Sequence, residues 1–245
     1  MVRVSFAKSR VAGPQPVAPV SFAGPFAFAG HEWRISESRA VYWPAESALL
    51  VADLHLEKAS WFATRGAMLP PYDSRETLER LQAAASAAGA RRIYCLGDSF
   101  HDAAGPERIE PQARAVLAQL ARAHDLVWIA GNHDAGVSDG LPGTIVPELL
   151  VAGIALRHEA EPATRTPEIS GHFHPKLRIS VRGRHISRPC ALVAGERMIL
   201  PAFGTLTGGL EADAPPILAA LRPARAVDAV LAAGGRALRF PVWRG

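Results

Sequence analysis

Asp53 and His55 stand two residues apart at the end of the apolar run Leu49-Leu50-Val51-Ala52. A carboxylate and an imidazole so placed suit a metal ion. A rigid strand fixes their backbone, and the loop after it can turn both side chains toward one point. An isolated Asp-x-His is common by chance, but here the event recurs. Gly97-Asp98 closes the run Ile93-Tyr94-Cys95-Leu96, and Gly131-Asn132-His133-Asp134 closes Leu126-Val127-Trp128-Ile129-Ala130. His158 follows Ile154-Ala155-Leu156-Arg157, and Gly171-His172-Phe173-His174 follows Ile169.

Oxygen and nitrogen donors without a thiolate suit manganese, iron or zinc, and magnesium less well. The set Asp53, His55, Asp98, Asn132, His158, His172 and His174 exceeds what one ion needs, so two ions sharing a carboxylate is the economical solution. Two ions about 3.5–4 Å apart form a clamp for phosphoryl chemistry: one activates a water as hydroxide, and both stabilise charge on the phosphoryl oxygens. An asparagine carbonyl can bind metal without adding a negative charge that would repel phosphate.

The elements that must position these residues follow from local pattern. Residues 48–52 read as a strand covered on both faces. A helix is predicted over 57–65, ended by Gly66. After Pro70-Pro71, Asp73 as cap with Glu76 three residues on starts a helix to about 88, stopped by Gly89. Strands at 92–96 and 126–130 flank a helix over 112–123 with Val116, Leu117 and Leu120 inward. Strand and helix alternating at this pitch imply parallel βαβ units with right-handed crossovers, whose ligands gather beyond the carboxyl ends of the strands. Upstream, 26–35 and 39–43 read as a strand pair. Beyond the Gly/Pro-rich stretch 138–147, short strands are expected at 151–157, 168–171, 177–181, 190–194 and 198–201, and a helix over 223–233. This second set reads as another sheet packed on the first. Residues 1–25 are expected to be a loose tail and 26–245 a single domain.

Composition sets outer limits. With 49% hydrophobic and 20% charged residues the chain is an ordinary globular one. The net charge of +4 and a pI near 9.5, with many of the cations arginine, suit a polyanion such as nucleic acid; a mildly basic enzyme without such a partner fits equally well. Cys95 and Cys190 sit inside apolar runs as inert thiols, and no disulfide framework or CxxC pair is present, which fits a reducing compartment. Pro14, Pro16 and Pro19 interrupt the N-terminal stretch, and no run approaches the roughly 20 apolar residues of a membrane span. A cytoplasmic protein with no membrane association is expected.

The ordered series Asp-x-His, Gly-Asp, Gly-Asn-His-Asp, His, Gly-His-x-His resembles the calcineurin-like metallophosphoesterase superfamily across residues 53–174. A narrower similarity, over roughly residues 40–210, is to the ligase-associated DNA damage response endonuclease group (the PdeM family). Tyr42-Trp43-Pro44, Val51-Ala52-Asp53-Leu54-His55-Leu56-Glu57-Lys58, Leu69-Pro70-Pro71-Tyr72-Asp73 and Leu96-Gly97-Asp98-Ser99-Phe100-His101-Asp102 carry it. So do Trp128 through Asp134, Arg157-His158-Glu159 and Pro201 through Gly209. The resemblance implies an α/β fold, a four-layer α-β-β-α sandwich of two packed mixed sheets flanked by helices. It implies two divalent ions, manganese first with iron or zinc as alternatives. Asp53, His55 and His174 would hold one; Asn132, His158 and His172 the other; Asp98 would bridge. His133 would face the substrate as a catalytic group. The implied activity is hydrolysis of DNA phosphodiester bonds in repair, beside a DNA ligase and a helicase. Two rivals stand next to it: a phosphoesterase acting on a nucleotide, cyclic nucleotide or nucleotide-linked lipid precursor, and a non-catalytic scaffold of the same fold.

Two positions depart from the superfamily pattern. Where an aspartate often orients the motif histidine stands His101, followed by Asp102, so the support of His133 is open between them. His158 lies between Arg157 and Glu159 where a glycine is usual beside the histidine. Arg178, Arg182, Arg184 and Arg188, on or beside late strands, are candidate DNA contacts, though a solvated strand face is the plainer reading. Trp61 and Phe62 read more readily as core than as platforms for bases, and His31, His124 and His185 as surface or strand-edge residues.

Overall fold

Apolar strands of both kinds expected, one set joined by helices and one by turns, build two sheets packed face to face. The computed structural model describes residues 19–134, 141–162, 164–181 and 183–244. The first sheet begins as a meander of β1 (Phe26–Phe28), β2 (His31–Ile35) and β3 (Val41–Trp43), continues through β4 (Ala48–Ala52), and then runs parallel through β5 (Arg92–Leu96), β6 (Asp125–Ile129) and β7 (Thr144–Val146). Helices α1 (Lys58–Ala63), α2 (Asp73–Ala88), α3 (Gly105–Arg108) and α4 (Pro111–Ala123) belong to its crossovers.

The second sheet starts with the hairpin β8 (Leu149–Val151) and β9 (Ile154–Leu156), followed by β10 (Glu168–Ser170). A separate two-stranded ribbon, β11 (Lys176–Val181) and β12 (Arg184–Pro189), interrupts it. β13 (Ala191–Ala194), β14 (Arg197–Ile199), the short helix α5 (Pro215–Ala220), β15 (Ala226–Ala233) and β16 (Arg236–Arg244) complete the chain. The strand order is β16-β15-β13-β14-β10-β9-β8.

Burial divides each central strand between two cores. In β4, Leu49 and Val51 pack with Leu78, Leu81, Leu117 and Leu120 of α2 and α4, whereas Leu50 and Ala52 pack with Ile154, Leu156, Ile169 and Leu200 of the second sheet. That is why the run is unbroken rather than alternating. On the far side, Ile217 and Leu221 cover Leu192, Ile199 and Ala229. Helices, sheet, sheet and helix therefore make the expected four layers.

Several boundaries differ from expectation for identifiable reasons. The stretch 26–35 is two strands, turned at Ala29-Gly30, both at positive φ. The stretch 151–157 is also divided, because Ala152 and Gly153, at φ 46° and 82°, form the two-residue turn that pairs Val151 with Ile154. The helix expected over 223–233 is instead strand β15. Its alanine-rich sequence fits both periods, and pairing with β13 and β16 decides for the strand. Asp73 does not cap α2: it lies within the first turn, and its carboxylate accepts the free N–H of Ala59 in α1 at 3.0 Å. Of the expected tail, residues 1–18 lie outside the described ones. Phe22 bridges to Ser36, and Ala23 is buried.

Glu168, fully buried at the start of β10, accepts from Arg197 of β14 at 2.9 Å, and Arg157 lies 3.5 Å away. Arg197 also donates to the carbonyls of Glu161, Pro162 and Thr164. Removing the guanidinium would leave the buried carboxylate with only the Arg157 side chain and the Glu161 amide, and those carbonyls without their shared donor. Arg197→Met is expected to destabilise the fold by about 3–5 kcal/mol, read from denaturant unfolding; a loss below about 1 kcal/mol would show that the network is dispensable.

Candidate metal centre

Polar side chains gather where the strands of both sheets end, and the backbone there is unusual. Asp53, His55, Asp98, His172 and His174 all have φ between 44° and 73°, the left-handed region that costs ordinary residues about 1–3 kcal/mol each. Left-handed residues turn the chain sharply, so Asp53 and His55 project to one side while Leu54 and Leu56 stay buried. The ladder between the first two ligand loops persists through these turns: His55 N–H donates to Asp98 C=O and Leu56 N–H to Ser99 C=O, both at 2.9 Å.

Two triads result. In the first, His174 Nε2 lies 3.3 Å from Asp53 Oδ1 and 3.3 Å from His55 Nε2. In the second, His158 Nε2 lies 3.1 Å from His172 Nδ1 and 3.5 Å from Asp98 Oδ1. The other oxygen of Asp98 is 3.9 Å from His55 Nε2, so this carboxylate stands between the triads. The Asn132 amide lies 3.4 Å from His172 Nδ1, and a half-turn of the amide presents either its oxygen or its nitrogen there.

These donors fit cations. His158 Nδ1 donates to Leu96 C=O at 3.2 Å, which leaves its Nε2 as a lone pair aimed at His172. Glu159, 3.8 Å from His172 Nε2, favours the proton there and a lone pair on Nδ1. Two lone pairs 3.1 Å apart repel unless a positive centre lies between them. Bonds of about 2.1 Å to one ion put neighbouring donors roughly 3.0–3.4 Å apart, close to the two 3.3 Å contacts of the first triad and the 3.1 and 3.5 Å contacts of the second. Burial, with the His174 and Lys58 charges adding to it, pushes His55 down to about 2, so it stays neutral as a ligand must. The geometry fits a dinuclear site with Asp98 shared.

The carboxylates that face the ions also staple the loops. Asp53 accepts the N–H of His172 through both oxygens, at 3.1 and 3.0 Å, and Asp98 accepts that of His133 at 2.9 Å. Asp134, part of the Gly-Asn-His-Asp motif but assigned no role from sequence, accepts from Ser99, Phe100 and Gly131. Burial raises its pKa despite those donors. The support of His133 is now visible: its Nδ1 donates to the backbone carbonyl of His101 at 2.8 Å, and its Nε2 points back to within 4.0 Å of Asp98. Asp102 turns away to Arg108, which also donates to Ser60 at 3.1 Å. A carbonyl role is invisible in residue type.

Of the other sequence candidates, Arg178 on β11 pairs with Glu211 at 2.8 Å. Arg184 lies on β12, and Arg182 is outside the described residues. His31 and His124 stand apart from the centre, against Trp43 and the carbonyl of Ala90 respectively. No helix among the described residues is long and apolar enough to cross a membrane.

Comparison with solved structures gives a match to the crystal structure of the Pseudomonas putida nuclease MPE, with a TM-score of 0.67 and 30% sequence identity over 91% of this chain and 100% of that one. Vacuolar Protein Sorting 29 from Cryptosporidium parvum aligns at a TM-score of 0.32 and 14% identity, over 80% of this chain and 95% of that one, too loosely to carry an argument. No protein-family model and no curated protein matches the sequence. The fold of the nuclease is the calcineurin-like metallophosphoesterase fold that the four layers describe here.

Gly131 shows how tightly Asp98 is held. A Cβ on residue 131 would fall 2.1 Å from Asp98 N and 2.5 Å from its Oδ1. Gly131→Ala is therefore expected to displace the shared carboxylate and lower bound metal well below that of the unaltered protein, measured by elemental analysis after dialysis. Full metal content in a folded variant would mean that Asp98 is not the bridge.

Proposed function

Because the chain belongs to the family of the Pseudomonas putida nuclease MPE, we propose that it is a dinuclear metal-dependent phosphodiesterase that cuts DNA. The observation that carries the reading is Asp98 standing between two ligand triads, one oxygen toward each. Two divalent ions bound there would lower the pKa of a water and neutralise charge on the phosphoryl oxygens. The nitrogen and oxygen donor set suits manganese, with iron and zinc as alternatives. Two carboxylates against two dications leave the centre net positive, which favours an anionic diester over a neutral substrate.

The chain's own groups supply the rest. Asp53, His55 and His174 would hold one ion, Asn132, His158 and His172 the other. His133, half-exposed at the mouth, is oriented by the His101 carbonyl so that Nε2 lies toward Asp98, beside the position a bound phosphate would take. In its protonated form this nitrogen can give a hydrogen bond to a phosphoryl oxygen or a proton to the leaving oxygen. Nδ1 cannot exchange roles with Nε2, because the His101 carbonyl accepts and never donates. A place in DNA repair beside a ligase and a helicase, as in the PdeM family, rests on the motif resemblance and the basic charge.

Metal analysis and manganese-dependent cleavage of single- and double-stranded DNA, a small phosphodiester and a phosphomonoester test this reading. Cleavage of DNA is expected; activity on the small diester with none on any DNA would reject DNA as substrate. Asp98→Ala should abolish turnover together with metal binding. His133→Ala should keep its metal and slow cleavage by on the order of 10²-fold or more. Equal metal loss in both variants would place His133 among the ligands instead.

A further inference from the structure

Trp61 and Phe62, which read as core in the sequence, belong to none of the three apolar cores among the described residues. α1 carries both partly buried, with Lys58 on its first turn and Arg65 just past its end. They are not remote from the chemistry. Phe62 lies nearly parallel to His101, at 16° and 6.5 Å between ring centres, and His101 is nearly parallel to His133, at 16° and 5.5 Å. Trp61 meets His101 edge-on at 4.6 Å and Phe62 at 5.0 Å. A line of rings thus runs from the histidine at the mouth of the metal centre to the exposed face of α1.

Cations accompany the rings. The Arg65 guanidinium sits 3.7 Å over the Trp61 ring. The Lys58 ammonium lies near enough to His55 and His101 for its charge to act on both. Arg108 is engaged by Asp102, whereas Lys58 and Arg65 have no carboxylate within ion-pair distance among the described residues. Partly exposed aromatic rings beside cations free of carboxylate partners are what a nucleic-acid strand requires: faces for bases and charges for phosphates.

We propose that this face of α1 is the subsite for the nucleotide next to the scissile phosphate, taken unpaired, with its base against Phe62 and Trp61 and its phosphates near Lys58 and Arg65. The proposal rests on the DNA phosphodiesterase reading above and names the form of substrate. Inside a duplex both faces of a base are covered by its neighbours, so only an unpaired or extruded base can offer a face to these rings.

The test uses the full-length protein. Affinity for a fluorescent oligothymidylate and for a duplex of equal length is measured by anisotropy in chelator, with folding checked by circular dichroism. Single-strand cleavage is measured with manganese and expressed relative to cleavage of bis(p-nitrophenyl) phosphate. For Phe62→Leu and Trp61→Leu, single-strand affinity and the relative cleavage should each fall roughly tenfold or more, and duplex affinity should fall less. Phe62→Tyr, which keeps the ring, should bind like the unaltered protein. Lys58→Ala should reduce the slope of log affinity against log salt by about 0.7. Single-strand binding unchanged in both leucine variants, or lost equally for both forms of DNA, would overturn the subsite. If the unaltered protein neither binds nor cuts DNA yet cleaves the small diester, the DNA reading itself falls.

Discussion

Left-handed backbone at Asp53, His55, Asp98, His172 and His174 is the constraint around which the rest is arranged. Such geometry persists only where the surroundings over-determine it. Here they do so through the ligands themselves. The Asp53 carboxylate holds the amide of His172, the Asp98 carboxylate holds the amide of His133, and the amide of His55 is bound by the carbonyl of Asp98. Each loop is fixed by another loop's metal-facing residue. The centre is therefore preorganised in part by its own donors, which is the condition for electrostatic catalysis in a fixed site.

That arrangement depends in turn on two sheets that cannot slide past each other. Ala52 pairs in parallel with Ala202, and Phe203 and Gly204 donate to the carbonyls of Ala52 and Asp53. Arg39 reaches the carbonyls of Ala202 and Gly204, and Arg80 reaches that of Phe203. Gly204 has no room for a side chain, since a Cβ would lie 2.1 Å from Leu54 C=O. The segment after β14 is thus a strap that stitches the second sheet to the first beside the ligand loops. It gives a structural role to Ala202, Phe203 and Gly204, which the sequence marks only through the family resemblance.

Much of the site was legible because its ligands follow apolar strands at the pitch of βαβ units, and side chains at strand ends must converge if the strands are adjacent and parallel. The central strands at 48–52 and 92–96 emerge with those bounds for the same reason. What escaped has physical causes. β15 is alanine-rich and satisfies helical and strand periods alike, so only its partners decide. Asp134 has the residue type of a ligand but works on amide groups of a loop more than thirty residues away. His133 is steered by a carbonyl, a group every residue possesses. Trp61 and Phe62 are residue types that a helix usually buries, and only the placement of the cores elsewhere leaves them partly exposed.

Each triad straddles the sandwich. Asp53 and His55 follow a strand of the first sheet while His174 follows one of the second; Asp98 belongs to the first while His158 and His172 belong to the second. Neither half of the chain alone offers more than part of a coordination sphere. A nascent chain emerging from the ribosome has no complete triad until its later strands dock, and an ion bound there would close a clasp across the two layers. Catalytic competence is in this way withheld from every partly made or half-folded copy.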